Sequence, residues 1–280
     1  MPELPELEAF VIAQRDRLCG QPIESVPVAH FATVKTIDPP IASLAGASFV
    51  AVTRRAKRLL FTTDAGPVLM LHLMSAGRLL VGERRPRSAV LSVRFQSGIE
   101  LVMTETGSKR RAGAWLLAAE PLGVELAGLG PEPLDPSFTP AALRQALGDR
   151  PHQLHAFLRD QRAIAGIGRA FANEILHAAR LSPFARSTTL SAEQVARLHG
   201  AITGVLSEAV RRLVPLSGDG LTTKADRGYR VHDRGGRQCP VCGNEIRNVS
   251  FEEHTVYYCP ACQTGGRVLA DRRLSRLLKE

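Results

Sequence analysis

The chain has 280 residues, enough for a sizeable buried core and for roughly two domains. Hydrophobic residues make up 44% and charged residues 22%, which excludes a disordered chain, and no apolar run approaches the ~20 residues of a membrane helix. Lys and Arg number 36 against 27 Asp and Glu, a net charge of +9, so a polyanion is the first partner to consider. Arg supplies 31 of these cations, and its flat, permanently charged fork suits phosphates.

The start, MPELPELE, is acidic and punctuated by proline, which argues against a secretory leader and for a cytoplasmic location. Apolar residues Leu7, Phe10, Val11, Ala13 and Leu18 predict a helix from Pro5 to Leu18. The rest of the first ~130 residues reads mainly as strands. SFVAVTRRA, RLLFTTDAG, VLMLHLMSAG, AVLSVRFQSG and IELVMTET are short, β-branched and bounded by turn residues, which suggests a sandwich or barrel. The Pro- and Gly-rich GLGPEPLDPSF reads as a linker. From Thr139 to about Leu213 the apolar spacing is helical in TPAALRQAL, QLHAFLRDQ, RAFANEILHAARL and the segment opened by Ser191, a candidate cap. Between two of these helices lies AGIGR. Taken alone, Gly166 and Gly168 read as a helix–helix turn; such a turn also lets a helix N-terminus approach a phosphate. Ser217 to Gly236 reads as a surface loop, and the last ~15 residues as a basic helix or frayed tail.

Four of the five cysteines form two close pairs. Cys239-Pro-Val-Cys242 is followed, after sixteen intervening residues, by Cys259-Pro-Ala-Cys262. Two such pairs close a tetrahedron of thiolates, which favours one structural Zn2+ over redox pairs or an iron–sulfur cluster. The segment is too short for its own apolar core, so removing the metal should unfold it. Cys19 reads as an ordinary buried thiol.

MPELPELE at the N-terminus, RRAKRLL around Lys57, GIG before a helix and a C-terminal four-cysteine finger occur in that order. The chain resembles the formamidopyrimidine-DNA glycosylase / endonuclease VIII family from Pro2 to Gln263. The resemblance implies an α+β multidomain fold. An N-terminal β-sandwich with an N-terminal helix (1–130) precedes a helix–two-turn–helix DNA-binding domain (131–225), a zinc finger (226–265) and a basic tail (266–280). It implies a base-excision repair glycosylase with AP lyase activity, a monomer acting on damaged DNA. If Met1 is removed, Pro2 presents an amine that titrates near ~8, part of it unprotonated at neutral pH. Such an amine can attack the sugar and displace the base. Glu3 is suited to proton transfer. Pro2 and Pro5 could otherwise merely stiffen an N-terminal arm, and Lys57 could be a solvated strand end. The resemblance instead puts Lys57 at the phosphate in the active site, with Glu6 supporting the pocket.

The DNA-reading positions depart from the family pattern. His72 matches a phosphate-contacting histidine, although a lone His on an apolar strand also reads as core. Relatives then read H-L-G-M-S-G where this chain has H-L-M-S-A-G, so Met74, the wedge candidate, stands one residue out of step. Arg111 matches the arginine facing the orphaned base, and Ala112 replaces a wedge phenylalanine. Arg169 replaces a phosphate-binding asparagine. Asn173 and Glu174 follow without restoring that position. Trp115 reads as core. His254 replaces the fingertip arginine that grips phosphate, which predicts weaker or pH-dependent δ-elimination. The competing reading is a non-catalytic binder of damaged or structured DNA on the same fold.

Overall fold

The computed structural model describes residues 1–83, 86–106, 110–221, 227–251 and 254–269. The chain divides into two compact units, one of residues 1–128 with 209–226 and one of 129–208 with 227–280.

The first unit opens with α1 (Leu4–Leu18) and continues with strands β1 (Ile23–Ser25), β2 (Phe49–Arg55), β3 (Arg58–Thr63), β4 (Val68–His72), β5 (Gly77–Gly82), β6 (Ala89–Phe95), β7 (Glu100–Glu105) and β8 (Gly113–Leu117). They form a four-stranded sheet, β2-β3-β4-β8, and a five-stranded sheet, β1-β6-β7-β5-β9, whose last member is β9 (Gly220–Leu221). All pairings are antiparallel. Alternate side chains of β3 and β5 point inward, as a half-buried pleat requires. Phe49 links the sheets: its ring lies 5.2 Å from Phe61 of the first and 5.9 Å from Phe95 of the second. Leu7 and Phe10 of α1 join the same core.

The expected sandwich and N-terminal helix are thus present. The sequence reading omits β1, β5, β8, β9 and a helix α2 (Ala119–Leu126); β9 lies where a surface loop is expected, and Ser217, Gly220 and Leu221 are buried there. β5 begins and ends in glycine. α2 contains Pro121 and Gly123 and buries no residue, so neither propensity nor burial marks it. Trp115 is half-buried on β8 and covers Gly113, where an added Cβ would meet the indole at 2.5 Å.

Residues 209–226 group with the sandwich, whereas the domain division implied by the resemblance, 131–225, puts nearly all of them with the helices. The cause is pairing: β9 adds to β5, and the buried Gln14 amide of α1 donates to the carbonyls of Ser217 and Gly218, the latter at 2.8 Å.

The second unit holds α3 (Pro140–Leu147), α4 (Leu154–Arg159), α5 (Arg169–Ala178) and most of α6 (Ala192–Leu213), then a hairpin of β10 (Arg247–Ser250) and β11 (Thr255–Tyr258) and a short α7 (Pro260–Thr264). Ser191 and Gln194 cap α6 reciprocally: Gln194 N–H donates to Ser191 Oγ at 3.2 Å, and Ser191 N–H to Gln194 Oε1 at 2.9 Å. This is the predicted start signal. Of the expected loop and basic tail, residues 222–226 and 270–280 lie outside the described residues, as does Lys109.

Candidate nucleic-acid interface and metal centre

Each unit builds its own constellation. In the first, α1 starts directly after Glu3, its N-cap. Glu3 N–H donates to Glu6 Oε2 at 2.9 Å, half of a capping box between the two residues. The local pattern therefore fixes the backbone one residue from Pro2. Lys57 occupies the tip of the two-residue turn joining β2 to β3, whose last paired residues are Arg55 and Arg58. Ala56 supplies the left-handed φ of +53° that this tight turn uses. Glu3, Glu6 and Lys57 are only 5%, 6% and 7% exposed, and Pro2 is buried too. Ionisable side chains are seldom so enclosed unless paired, so these are not the solvated charges of an N-terminal arm and a strand end.

Arg54 fastens the turn to the helix. Its Nε donates to Glu8 Oε2 at 2.9 Å and its Nη1 to the Ala56 carbonyl at 3.0 Å. The Arg54 side chain is 5% exposed. Nothing in the sequence marks Arg54 and Glu8 as partners: both lie in the motifs that carry the resemblance, but their pairing depends on α1 packing on β2, which spacing does not reveal.

His72 ends β4, opposite Arg58 on one side and Gly113 on the other. Burial, then the charges of Arg58 and Lys57, pull its pKa down to about 4. It is a neutral imidazole at pH 7 and shares the field of Lys57. Met74 follows in a turn closed by Gly77 N–H donating to the Leu73 carbonyl at 2.8 Å. Met74 has φ +50°, uncommon for a non-glycine residue and a frequent mark of a functional site. Gly77 is required there, because a Cβ would stand 2.4 Å from the Leu73 oxygen.

Arg111 is exposed, but its backbone is held: its N–H donates to Glu105 Oε1 at 2.8 Å, and the Ala112 N–H to the same oxygen at 3.1 Å. Glu105 is a buried carboxylate at the end of β7. Ala112 is buried in the sandwich core and offers no wedge. No sequence signal marks Glu105 as the acceptor.

In the second unit, Arg169 is the exposed first residue of α5, with Gly168 as N-cap. Gln161 braces the preceding turn from both sides, accepting from Gly166 N–H at 2.9 Å and donating to the Ile167 carbonyl at 2.8 Å. The buried residues Asn173, Glu174 and His177 belong to the face of α5 turned to the finger. Glu174 accepts three backbone N–H groups, from Arg230 at 2.8 Å, Val231 at 2.9 Å and His232 at 2.8 Å. Asn173 shares a 2.9 Å hydrogen bond with His232 Nδ1 and accepts from Tyr257 N–H at 3.3 Å. Gln263 of α7 accepts from Cys259 N–H at 2.8 Å and donates to the Leu181 carbonyl at 2.9 Å.

His254 lies half-buried between two rings, 4.9 Å from Phe251 and 5.8 Å from His155, nearly parallel to both. His155 is buried on α4; burial first, then the charges of Arg159, His254 and His232, lowers its pKa to about 3.

Cys239 and Cys262 bring their sulfurs to 3.9 Å, and Cys242 and Cys259 theirs to 3.4 Å. Four thiolates around a tetrahedral ion stand ~3.8 Å apart when the metal–sulfur distance is ~2.3 Å, so the donor set fits one metal ion. Cys239 and Cys259 are two of the four buried residues of a small core with Val231 and Ile246. His177 joins the cluster with its Nε2 3.3 Å from Cys239 Sγ. Burial, then Arg230 and Arg180, lowers its pKa to about 4.

Residues 1–115 match the formamidopyrimidine-DNA glycosylase N-terminal domain, and residues 129–218 its H2TH domain. The chain is 36% identical to the formamidopyrimidine-DNA glycosylase of Chloroflexus aggregans, an alignment covering 94% of this chain and 98% of that one. It is 37% identical to that of Symbiobacterium thermophilum, covering 98% and 93%. A Lactococcus lactis FPG mutant, solved in complex with a Fapy-dG containing DNA, shares the fold with a TM-score of 0.83 at 23% identity, covering 94% of this chain and 100% of that one. With its sandwich, its N-terminal capping box and its clustered cysteines, the chain belongs to the formamidopyrimidine-DNA glycosylase family.

Proposed function

We propose that the protein is a base-excision repair glycosylase with AP lyase activity, acting as a monomer in the cytoplasm on damaged DNA. The observation that carries this reading is the enclosure of Glu3, Glu6 and Lys57 around the start of α1 and the β2–β3 turn. Family membership supports it. Once Met1 is removed, the Pro2 nitrogen attacks C1′ of the damaged nucleotide, and the glycosidic bond breaks. The base leaves with a proton, and the sugar ring opens to an iminium on Pro2. Glu3 moves the protons at the sugar, held in place by Glu6. Loss of a C2′ proton then sends the electron pair through the iminium and expels the 3′ phosphate. Lys57 supplies positive charge beside the phosphates.

The damaged base must leave the stack. Met74 fills the gap in this reading and Arg111 faces the orphaned base. His72 donates to phosphate as a neutral ring. Arg169 and the N-terminus of α5 bind a further phosphate, since an exposed cation at the positive end of a helix is favoured by an anion nearby. The four cysteines hold one structural zinc, which fixes the finger and takes no part in the reaction. His254, stacked rather than extended, gives a weaker grip than arginine, so β-elimination dominates over δ-elimination.

The test is borohydride trapping on an oligonucleotide with one abasic site. Protein whose N-terminus is Pro2 forms a covalent adduct; a sample retaining Met1 does not. Salt-sensitive binding without any adduct would favour the non-catalytic binder.

A further inference from the structure

The family's metal site is a set of cysteines on the finger, yet a side chain from another element touches it here. His177 lies on α5 and is 3% exposed. Its Nε2 is 3.3 Å from Cys239 Sγ. It forms a compact group with Cys239, Cys259 and Cys262, their ligand atoms all within 4.8 Å of one another. Its other ring nitrogen, Nδ1, is buried and finds no hydrogen-bond partner among the described residues. A phenyl ring would fill the same volume without that unpaired nitrogen, so packing alone does not account for an imidazole. What distinguishes the imidazole is Nε2 aimed at sulfur.

We infer that His177 is a positioning residue for the metal centre, donating its Nε2–H to the Cys239 thiolate from α5. The inference rests on the reading that the four cysteines hold zinc. A site of four thiolates on one divalent ion carries a net charge of −2, and burial makes that charge costly. One N–H directed at a buried thiolate spreads its charge and lowers its tendency to leave the metal for a proton or an oxidant. Cys239 is the buried member of the first pair, and its partner Cys242 is exposed. The donor therefore acts on the sulfur that the solvent cannot stabilise. His177 stands four residues from Asn173, so the two share a face of the helix. Asn173 holds Tyr257 N–H of β11 at 3.3 Å, which carries the chain into Cys259. The same face of α5 thus orients both halves of the site.

The experiment uses the full chain and starts from its metal content. Zinc at one ion per chain in the wild type is required; its absence would overturn the zinc reading and the inference with it, before any variant is made. Zinc transfer to a chromogenic chelator is then timed for the wild type, His177→Phe and His177→Gln, with urea unfolding measured in parallel. Phe keeps the ring and removes the donor, so zinc should leave on the order of ten-fold faster, the low end of losses for such partners, while unfolding in urea moves little. Gln restores an N–H donor and should recover part of the difference. Equal release rates for wild type and His177→Phe would overturn the inference. Cobalt-substituted protein supplies the second check: four thiolate ligands in both wild type and His177→Phe are expected. Three thiolates and one nitrogen in the wild type would make His177 a ligand and likewise overturn it.

Discussion

In the first unit the backbone around the proposed reacting end is held by charge. Glu6 takes the Glu3 N–H, Glu105 takes those of Arg111 and Ala112, and Arg54 bridges Glu8 and the Ala56 carbonyl. In the second unit one carboxylate, Glu174, takes three N–H groups, and the remaining grip comes from Asn173, Gln263 and stacked His and Phe rings. Both units meet the same need, since irregular backbone that is buried must find partners. They differ in how much charge is left to act on a ligand. The first encloses Glu3, Glu6 and Lys57 where the proposed covalent step would need proton transfer; the second ties its buried carboxylate to backbone amides and leaves Arg169 exposed at a helix start.

The carboxylate clamps give the largest expected effects. Glu174→Ala strands three N–H groups and should lower stability by about 4 kcal/mol. Glu105→Ala strands two and should cost about 3 kcal/mol. Urea denaturation of each variant checks the order. If Glu105→Ala proved the costlier, the count of stranded donors would not be the controlling quantity.

Acid should separate the units next. His155 titrates near 3 in the fold against a reference of 6.5. Its folded pKa is depressed, so its stabilising effect is complete above pH 6.5 and drains away as pH falls from 6.5 toward 3. At pH 5 the loss is about 2 kcal/mol. His155→Phe should flatten the slope of stability between pH 7 and 5 while keeping a ring against His254. A slope unchanged in that variant would place the acid sensitivity elsewhere. His72, lowered to about 4, acts in the same direction with a smaller shift.

The smallest effect has the opposite sign. Met74→Gly relieves a left-handed φ and should stabilise the first unit by about 0.5–1 kcal/mol. If Met74 is the wedge, excision from duplex DNA should fall while cleavage at a preformed abasic site changes less. Equal losses on both substrates would count against that role.

Legibility in the sequence followed the kind of structure involved. α1, the α6 cap, five of the sandwich strands and the cysteine cluster depend on local spacing, and local spacing announced them. Glu3 and Lys57 stand out because they lie in compact motifs. Glu105, Glu174 and Arg54 do not, because each serves backbone or turn atoms contributed from elsewhere in the chain or through packing, and no periodicity encodes an acceptor 56 residues from its donor. In the sequence Asn173 and Glu174 only fail to replace a phosphate contact; in the fold their partners are backbone groups of the finger. The same limit applies to His254, whose substitution for arginine was visible but whose stacking between Phe251 and His155 was not.

The saturation of Glu174 has a consequence for how the second unit comes apart. Amides 230–232 lie outside every regular strand or helix, where exchange with solvent deuterium is ordinarily fast. Tied to one carboxylate on α5, they can open only when that helix lets go. Helix and finger should then exchange as a single cooperative block, and loss of a metal ion held by the cysteine cluster would be felt in the amides of α5 as well as in the cysteine loops.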